Sequence, residues 1–263
     1  VTQVDEVRLS AHVQAINDCN QRGGRMLSLV DLIEAHTIDL DLGAYLAAAM
    51  RKGASLLVGA SPGGAGKTAV MCALLNFLPD NTVIRPVARG TVLASDRGTA
   101  SPGRTCYLAH EIGAGHYYAY VWGERARAFL RLRRRGCIVA SNLHADTLQE
   151  TYHQLCEEVG TDREDVLRVN LKIYLGVQRT GAWSMQRWVS HVYESDGTAD
   201  RLLWTGDADG VFTRQADSAS VTPADERTYA SFLRGLIHSG TRGIEAVRRA
   251  VIEAAPSPAN PSR

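Results

Sequence analysis

Eight consecutive residues, Ser61, Pro62, Gly63, Gly64, Ala65, Gly66, Lys67 and Thr68, have the types and spacing to hold a polyphosphate. Small residues let successive backbone N–H groups curl round a phosphate, and a helix opening directly behind them adds partial positive charge. Lys67 is expected to reach the β- and γ-phosphates of ATP, and the Thr68 hydroxyl to take a position on Mg2+. Ser61 stands where the usual pattern has glycine, which restricts the backbone at that point. The bland alternative is a Gly-rich strand-to-helix turn that binds nothing. The Gly-Lys-Thr ending and the flanking elements argue against it.

Such a loop works only between a strand and a helix, and the neighbouring residues supply both. Leu56-Leu57-Val58, ended by Gly59, is a short apolar run with the pattern of a buried strand, and residues 67–78 read as an apolar helix stopped by Pro79. Upstream, helical patterns cover roughly residues 4–20 and 27–35. A third helix is capped by Asp39 or Asp41 and carries Leu42, Tyr45, Leu46, Ala49 and Met50 on one face. Downstream, residues 83–87, 91–94 and 106–109 look extended. Residues 117–134 have helical spacing, 138–140 form a strand and 146–159 a helix. Residues 171–177, 188–193 and 201–204 resemble a β-meander, and helices at about 223–239 and 241–254 close the chain. Strands alternating with helices imply an α/β fold whose mostly parallel sheet is covered on both faces. The expected divisions are an N-terminal helical segment over 1–52, a nucleotide-binding domain over 53–254 and a disordered Pro-rich tail over 255–263.

Composition narrows the classes further. Of 263 residues, 45% are apolar, enough for a sizeable core, and 29 Lys and Arg nearly balance 28 Asp and Glu. That balance gives no whole-chain argument for nucleic acid or an anionic membrane as partner. No apolar run has the length of a membrane span, and the first residues lack a basic-then-apolar signal pattern, so the expected setting is cytoplasmic. Cys19, Cys72, Cys106, Cys137 and Cys156 are far apart and form no Cys-x-x-Cys pair, so they read as small apolar fillers in a reducing compartment. The run Arg131, Arg133, Arg134 and Arg135 ends a helix, where cations suit the dipole, and no aromatic stacking platform accompanies it. Trp183 and Trp188 read as core or hairpin packing.

Taken in order, the motifs resemble the type II/type IV secretion ATPases, a family of P-loop NTPases that includes pilus-assembly and pilus-retraction motors. The resemblance runs over about residues 27–252. It begins at Leu29-Val30-Asp31-Leu32-Ile33-Glu34-Ala35 and continues through the phosphate loop. It is sharpest there and at Gly136-Cys137-Ile138-Val139-Ala140-Ser141-Asn142-Leu143-His144-Ala145-Asp146, which looks like the family's histidine box. The helix over 147–156, the strand over 171–178 and the segment 232–240 also fit. The resemblance implies a RecA-like fold, with His144 sensing the γ-phosphate; the alternative for His144 is a strand-end histidine capping a carbonyl. It also implies a carboxylate at a strand end that aligns the attacking water. Glu111 fits that role by following the 106–109 strand with room for a crossover to the next one. Glu124 matches the family's Gly-Glu…Arg wording more literally but leaves only a short crossover.

Three parts of the family pattern are absent. His110 stands where a metal-carrying aspartate is common. The segment Val83-Ile84-Arg85-Pro86-Val87-Ala88-Arg89-Gly90 lacks the acidic pair of the Asp-box, and the large N-terminal domain is reduced to about fifty helical residues. Arg85, Arg89, Arg97 and Arg104 are candidates for an arginine finger in cis or across a subunit boundary, against the alternative of solvated loop arginines. The resemblance implies a Mg2+-dependent ATPase motor. It would work as a homo-oligomeric ring such as a hexamer, against a membrane-platform protein at the inner face of the membrane. The alternatives are an ATP-binding regulatory or assembly subunit with little hydrolysis, and a nucleic-acid-associated protein supported only by the basic helix end.

Overall fold

Leu56-Leu57-Val58-Gly59 forms β1 (Leu56–Gly59), buried along its whole length because it runs through the middle of a sheet with both faces covered. The computed structural model describes residues 4–20, 23–61, 63–87, 105–115, 117–181 and 184–254. The helices α1 (Glu6–Asn17), α2 (Leu29–Glu34) and α3 (Leu40–Arg51) precede β1, and α4 (Lys67–Leu75) follows it. Next come β2 (Val83–Pro86), β3 (Thr105–Ile112), β4 (Tyr120–Val121), α5 (Glu124–Arg131), β5 (Ile138–Leu143), α6 (Leu148–Tyr152) and α7 (Arg163–Leu167). The chain continues through β6 (Leu171–Arg179), β7 (Met185–Ser195), β8 (Asp200–Gly206) and β9 (Phe212–Arg214) to α8 (Pro223–His238) and α9 (Ile244–Ala254).

The strands form one sheet in the order β2-β3-β5-β1-β6-β7-β8-β9. All pairings from β2 to β6 are parallel, and β6 to β9 form an antiparallel meander. β4 continues the sheet edge beyond β2, pairing Tyr120 with Glu111 and Val121 with Ile112. The mixed α/β class, the mostly parallel sheet and the meander agree with the sequence reading.

Alternation along the strands divides the interior into two cores. Leu56, Val58, Cys106, Leu108, Ile138 and Ala140 face one core with Ile16, Leu46, Met71, Leu233 and Val247 from α1, α3, α4, α8 and α9. Leu57, Tyr107, Ala109 and Val139 face the other with Phe129, Leu130 and Val166 from α5 and α7. Helix α3 is buried on nearly every side, as its composition demands, and packs on α8.

Three local expectations change. Residues 117–134 are not one helix: Ala119 and Gly123 both have φ of 54°, which breaks helical continuation, and Tyr120 and Val121 pair with β3 instead. Helix α5 therefore starts at Glu124 and ends in a 3-10 turn (Leu132–Arg135) closed by left-handed Gly136. The 146–159 helix starts later, capped by Thr147, and widens into a π-helical stretch, His153–Glu158. Strand β9 has no counterpart in the sequence reading. The extended segment expected at 91–94, Trp183 and the 255–263 tail lie outside the described residues. Among the described residues, no helix is long and apolar enough to cross a membrane.

The connections place a crevice at the strand ends. From β1 the chain passes through α4 to β2 on one side of the sheet, whereas from β5 it crosses β1 to reach β6 on the other. The C-terminal ends of β1, β3 and β5 meet where the order reverses, the position at which open parallel sheets leave a binding crevice.

Candidate functional site

The loop from Ser61 to Thr68 lies at that crevice, and two glycines let the backbone make the turn. Gly64 and Gly66 have φ of 86° and 101°, and Gly66 is the N-cap of α4. Ser61 is not among the residues with positive φ, so serine in place of glycine needs no left-handed backbone. It is tied down at both ends. Its N–H donates to Asp146 Oδ1 at 2.6 Å, and its carbonyl lies 3.1 Å from His144 Nδ1. Gly59 permits the close approach behind this contact, because a Cβ there would lie 2.4 Å from the Ala145 carbonyl oxygen. Pro62 is outside the described residues.

Lys67 and Glu111 meet below the loop, only 8% and 6% exposed. Lys67 Nζ donates to the Ala60 carbonyl at 2.7 Å and lies 3.7 Å from Glu111 Oε2 and 3.4 Å from His144 Nδ1. The other carboxylate oxygen of Glu111 faces His144 Nε2 at 2.9 Å. The imidazole thus bridges the loop and the carboxylate. The Tyr120 phenol also hydrogen-bonds to Glu111, and burial, followed by the charge of that carboxylate, pushes its pKa up to about 12. Tyr120 is brought there by the pairing of β4 with β3 and stacks on His110 with centroids 5.7 Å apart.

Asn142, buried at the end of β5, donates from Nδ2 to Thr68 Oγ1 at 3.2 Å and to the His110 carbonyl at 2.8 Å. Its Oδ1 is buried with no hydrogen-bond partner. Arg187 on β7 donates from Nε to the Gly64 carbonyl at 3.0 Å, so the meander braces the loop. Behind these braces lies a cleft of about 320 Å³ lined by the loop, His110 and Tyr120, and walled also by Cys19, Asn20, Arg25, Met26 and Leu27 from the segment between α1 and α2.

The cleft gathers Gly63, Gly64, Ala65, Gly66, Lys67, Thr68, Glu111 and His144. Glu124 is exposed on the first turn of α5, and Arg85 is exposed on β2; neither lines the cleft. Arg89, Arg97 and Arg104 lie outside the described residues. Arg133 and Arg134 are engaged within the fold. Arg133 donates to the Arg168 and Cys137 carbonyls and to Asn170, and Arg134 pairs with Asp162 and Asp165. The Trp188 ring packs over Gly176, where a Cβ would lie 2.2 Å from it.

The sequence reading did not single out Asn142, Asp146, Tyr120 or Arg187. Asn142 and Asp146 sat inside the motif that carried His144, so their spacing was a signal. Tyr120 and Arg187 reach the site through strand pairing alone.

The arrangement suits a polyanion. The N–H groups that open a helix have no intrahelical partners, and the first turn of α4 holds no acidic residue to compete for them. Lys67 is the buried cation beside them. Among the described residues, no group of three His, Cys, Asp or Glu is placed to hold a metal. A Mg2+ ion would therefore depend on the Thr68 hydroxyl, phosphate oxygens and water, a ligand set it commonly takes.

No family model matches this chain, and no curated protein matches it. Among solved structures, the chain is similar to the VirB11 ATPase from the Brucella suis type IV secretion system in complex with sulphate. The identity is 20%, the match covers 63% of this chain and 54% of that one, and the TM-score is 0.41. The match thus spans about half the length of the VirB11 chain.

Proposed function

We propose that this chain is a RecA-like P-loop domain that binds MgATP and hydrolyses it, in the manner of the secretion and pilus-assembly motors its motifs resemble. One observation carries the reading. Lys67 at the opening of α4, Glu111 near the end of β3 and His144 just past the end of β5 converge on one another beside the helix-opening loop.

The loop amides and Lys67 hold the phosphates, and the Thr68 hydroxyl, oriented by Asn142, contributes to the Mg2+ site. Mg2+, when bound, neutralises charge on the phosphate oxygens. Glu111 aligns and polarises the attacking water. His144 holds Glu111 through Nε2 while its Nδ1 faces the Ser61 carbonyl, so a change at the phosphate loop reaches the carboxylate through one ring. A ring of identical subunits, docked on a membrane-platform protein, would convert this change into movement of one subunit against the next.

A second reading is supported by His110 standing where an aspartate would help carry the metal: a subunit that binds ATP and turns it over little. Titration calorimetry with MgATP, run beside turnover assays, separates the two. The motor reading expects binding and hydrolysis in the wild type. Lys67→Ala should bind about 10- to 100-fold more weakly, the loss of a charge-assisted hydrogen bond of ~1.5–3 kcal/mol. Glu111→Gln should bind MgATP and give no turnover. Binding without turnover in the wild type favours the second reading, and no heat of binding to folded protein removes both. Activity that rises with added nucleic acid and falls steeply with salt would point to a nucleic-acid partner instead.

A further inference from the structure

The end of α4 away from the phosphate loop is closed by a buried arginine. Arg248 on α9 is 1% exposed. Its Nη1 donates to the Asn76 and Leu78 carbonyls at 2.9 and 2.5 Å, and its Nη2 to the Pro79 carbonyl at 3.3 Å. These carbonyls follow the last turn of α4, where a cation suits the helix dipole. They accept the hydrogen bonds but do not cancel the charge. Asp80, the carboxylate whose charge Arg248 feels, is taken by Arg51 in two hydrogen bonds of 2.6 and 3.2 Å. Among the described residues, no carboxylate forms an ion pair with Arg248.

A cavity of about 70 Å³ opens beside Arg248, between α1, the start of β2 and α9. One water needs roughly 10–15 Å³ of such space, so the cavity has room for a guest. His12 on α1 lines it and is 5% exposed. Neither ring nitrogen of His12, nor Arg248 Nε, meets a partner with hydrogen-bond geometry. The Leu75 carbonyl on α4 favours the protonated ring, but it can answer only one of the two nitrogens. Burial, and then the charge of Arg248, hold the His12 pKa well below its ordinary 6.5, so at pH 7 the ring is neutral with one N–H to give. The rim is formed by Arg8, paired with Asp5, and by Asp80, paired with Arg51, both partly exposed. Arg248 is therefore the surplus charge at the cavity. Burial pushes its pKa down to about 10 against the pull of Asp80, as expected of a cation short of a counter-charge.

We propose that this cavity is a binding site for a small monovalent anion of halide size, held between Arg248 Nε and an N–H of His12. Water in the same place would satisfy the two donors and leave the charge of Arg248 uncancelled, whereas an anion does both. One surplus cation calls for one negative charge, and the apolar walls from Leu9, Ile84 and Ile252 offer no further donors to a larger oxyanion. The bound anion joins α1 and α9 at the foot of the helix whose other end carries Lys67 and Thr68. The inference does not depend on what the cleft at that other end binds.

The test compares sodium chloride with sodium gluconate, whose anion is too large for the cavity, at matched ionic strength and pH. The melting temperature of the full chain should rise with chloride and level off, by about 3–5 °C at ten times the dissociation constant. Crystals soaked in bromide should show anomalous scattering inside the cavity, in contact with Arg248 Nε and the His12 ring. Removing Arg248 also uncaps α4, so the variant is His12→Phe, which puts an apolar ring against the cavity and keeps the guanidinium. It should fold and lose the chloride dependence. If it does not fold, the bromide map and the chloride titration of the wild type decide alone. Equal melting temperatures in chloride and gluconate overturn the proposal, as does a bromide-soaked cavity that holds only water. A bromide peak without chloride dependence in solution is an adventitious ion only and overturns it as well. Chloride dependence that persists unchanged in folded His12→Phe places the ion elsewhere, with the same result.

Discussion

His144 touches both the loop carbonyl of Ser61 and the carboxylate of Glu111, so it is the residue whose loss should separate binding from chemistry. Lys67 and the loop amides remain in His144→Ala, and MgATP affinity should stay within about threefold of wild type. Glu111 keeps Tyr120 but loses the contact on Oε1, and if Glu111 aligns the attacking water as proposed, its small misplacement is expected to lower turnover about 100-fold. Equal losses in affinity and turnover would mean that His144 serves the phosphates directly. Gly59 is constrained in a different way. Gly59→Ala would drive a Cβ to within 2.4 Å of the Ala145 carbonyl and 2.8 Å of the Tyr174 ring. It should destabilise the fold rather than alter the chemistry, read as a lowered melting temperature.

Among the elements, α2 and α8 share a device that makes part of the stability acid-sensitive. Ser28 with Asp31, and Thr222 with Asp225, form reciprocal capping boxes. Burial alone would raise both carboxyls. At Asp31 the Arg25 guanidinium and Ser28 outweigh it, and at Asp225 Lys52 and Thr222 do, so both pKa values fall below the ordinary 3.8. A depressed carboxyl adds stability that is fully present above its unfolded value and is lost as pH falls through the folded one. Melting temperature should therefore drop below about pH 4, and Asp31→Asn with Asp225→Asn should flatten that limb while lowering stability at neutral pH. An unchanged acid limb in the double variant would assign the effect to other groups. Ser28→Ala should cost about 1 kcal/mol by itself, the usual worth of an N-cap.

For the molecule as a whole, a buried charge pair ties β6, the strand that also pairs in parallel with β1, to β8 of the meander. Lys172 on β6 and Asp200 on β8 are 2.7 Å apart, with side chains 1% and 4% exposed. The Val169 carbonyl and Tyr152 hydroxyl complete their hydrogen bonds. Burial holds the Lys172 pKa below its ordinary value against the pull of Asp200. Removing one partner strands the other, so Asp200→Ala should destabilise the protein by about 3–5 kcal/mol in urea unfolding. Lys172→Met combined with Asp200→Leu should recover much of that loss. If the single variant unfolds at the wild-type midpoint, water reaches the pair. At the same scale, the motor reading expects sedimentation to show a ring in the presence of MgATP. A monomer under saturating nucleotide would remove the ring while leaving the loop intact.

The order Ser61 to Thr68, with an apolar run before it and an apolar helix after, determined a strand-to-helix loop locally, because a tight turn into a helix start needs only small neighbouring residues. The alternation of apolar runs likewise determined a mostly parallel sheet with two covered faces, since a short continuous apolar strand has no other way to hide both sides. What lies beside the loop was settled by the sheet order. Glu111 and Glu124 are thirteen residues apart and alike in sequence terms, yet only Glu111 ends a strand that reaches the cleft, and Glu124 opens an exposed helix turn. Tyr120 fell in a stretch with helical spacing and became a strand because β3 offered an unpaired edge just beyond β2. Arg187 and Cys19 joined the loop across long sequence separations. Register and packing between distant elements fix such contacts, and neither leaves a local mark on the order of residues.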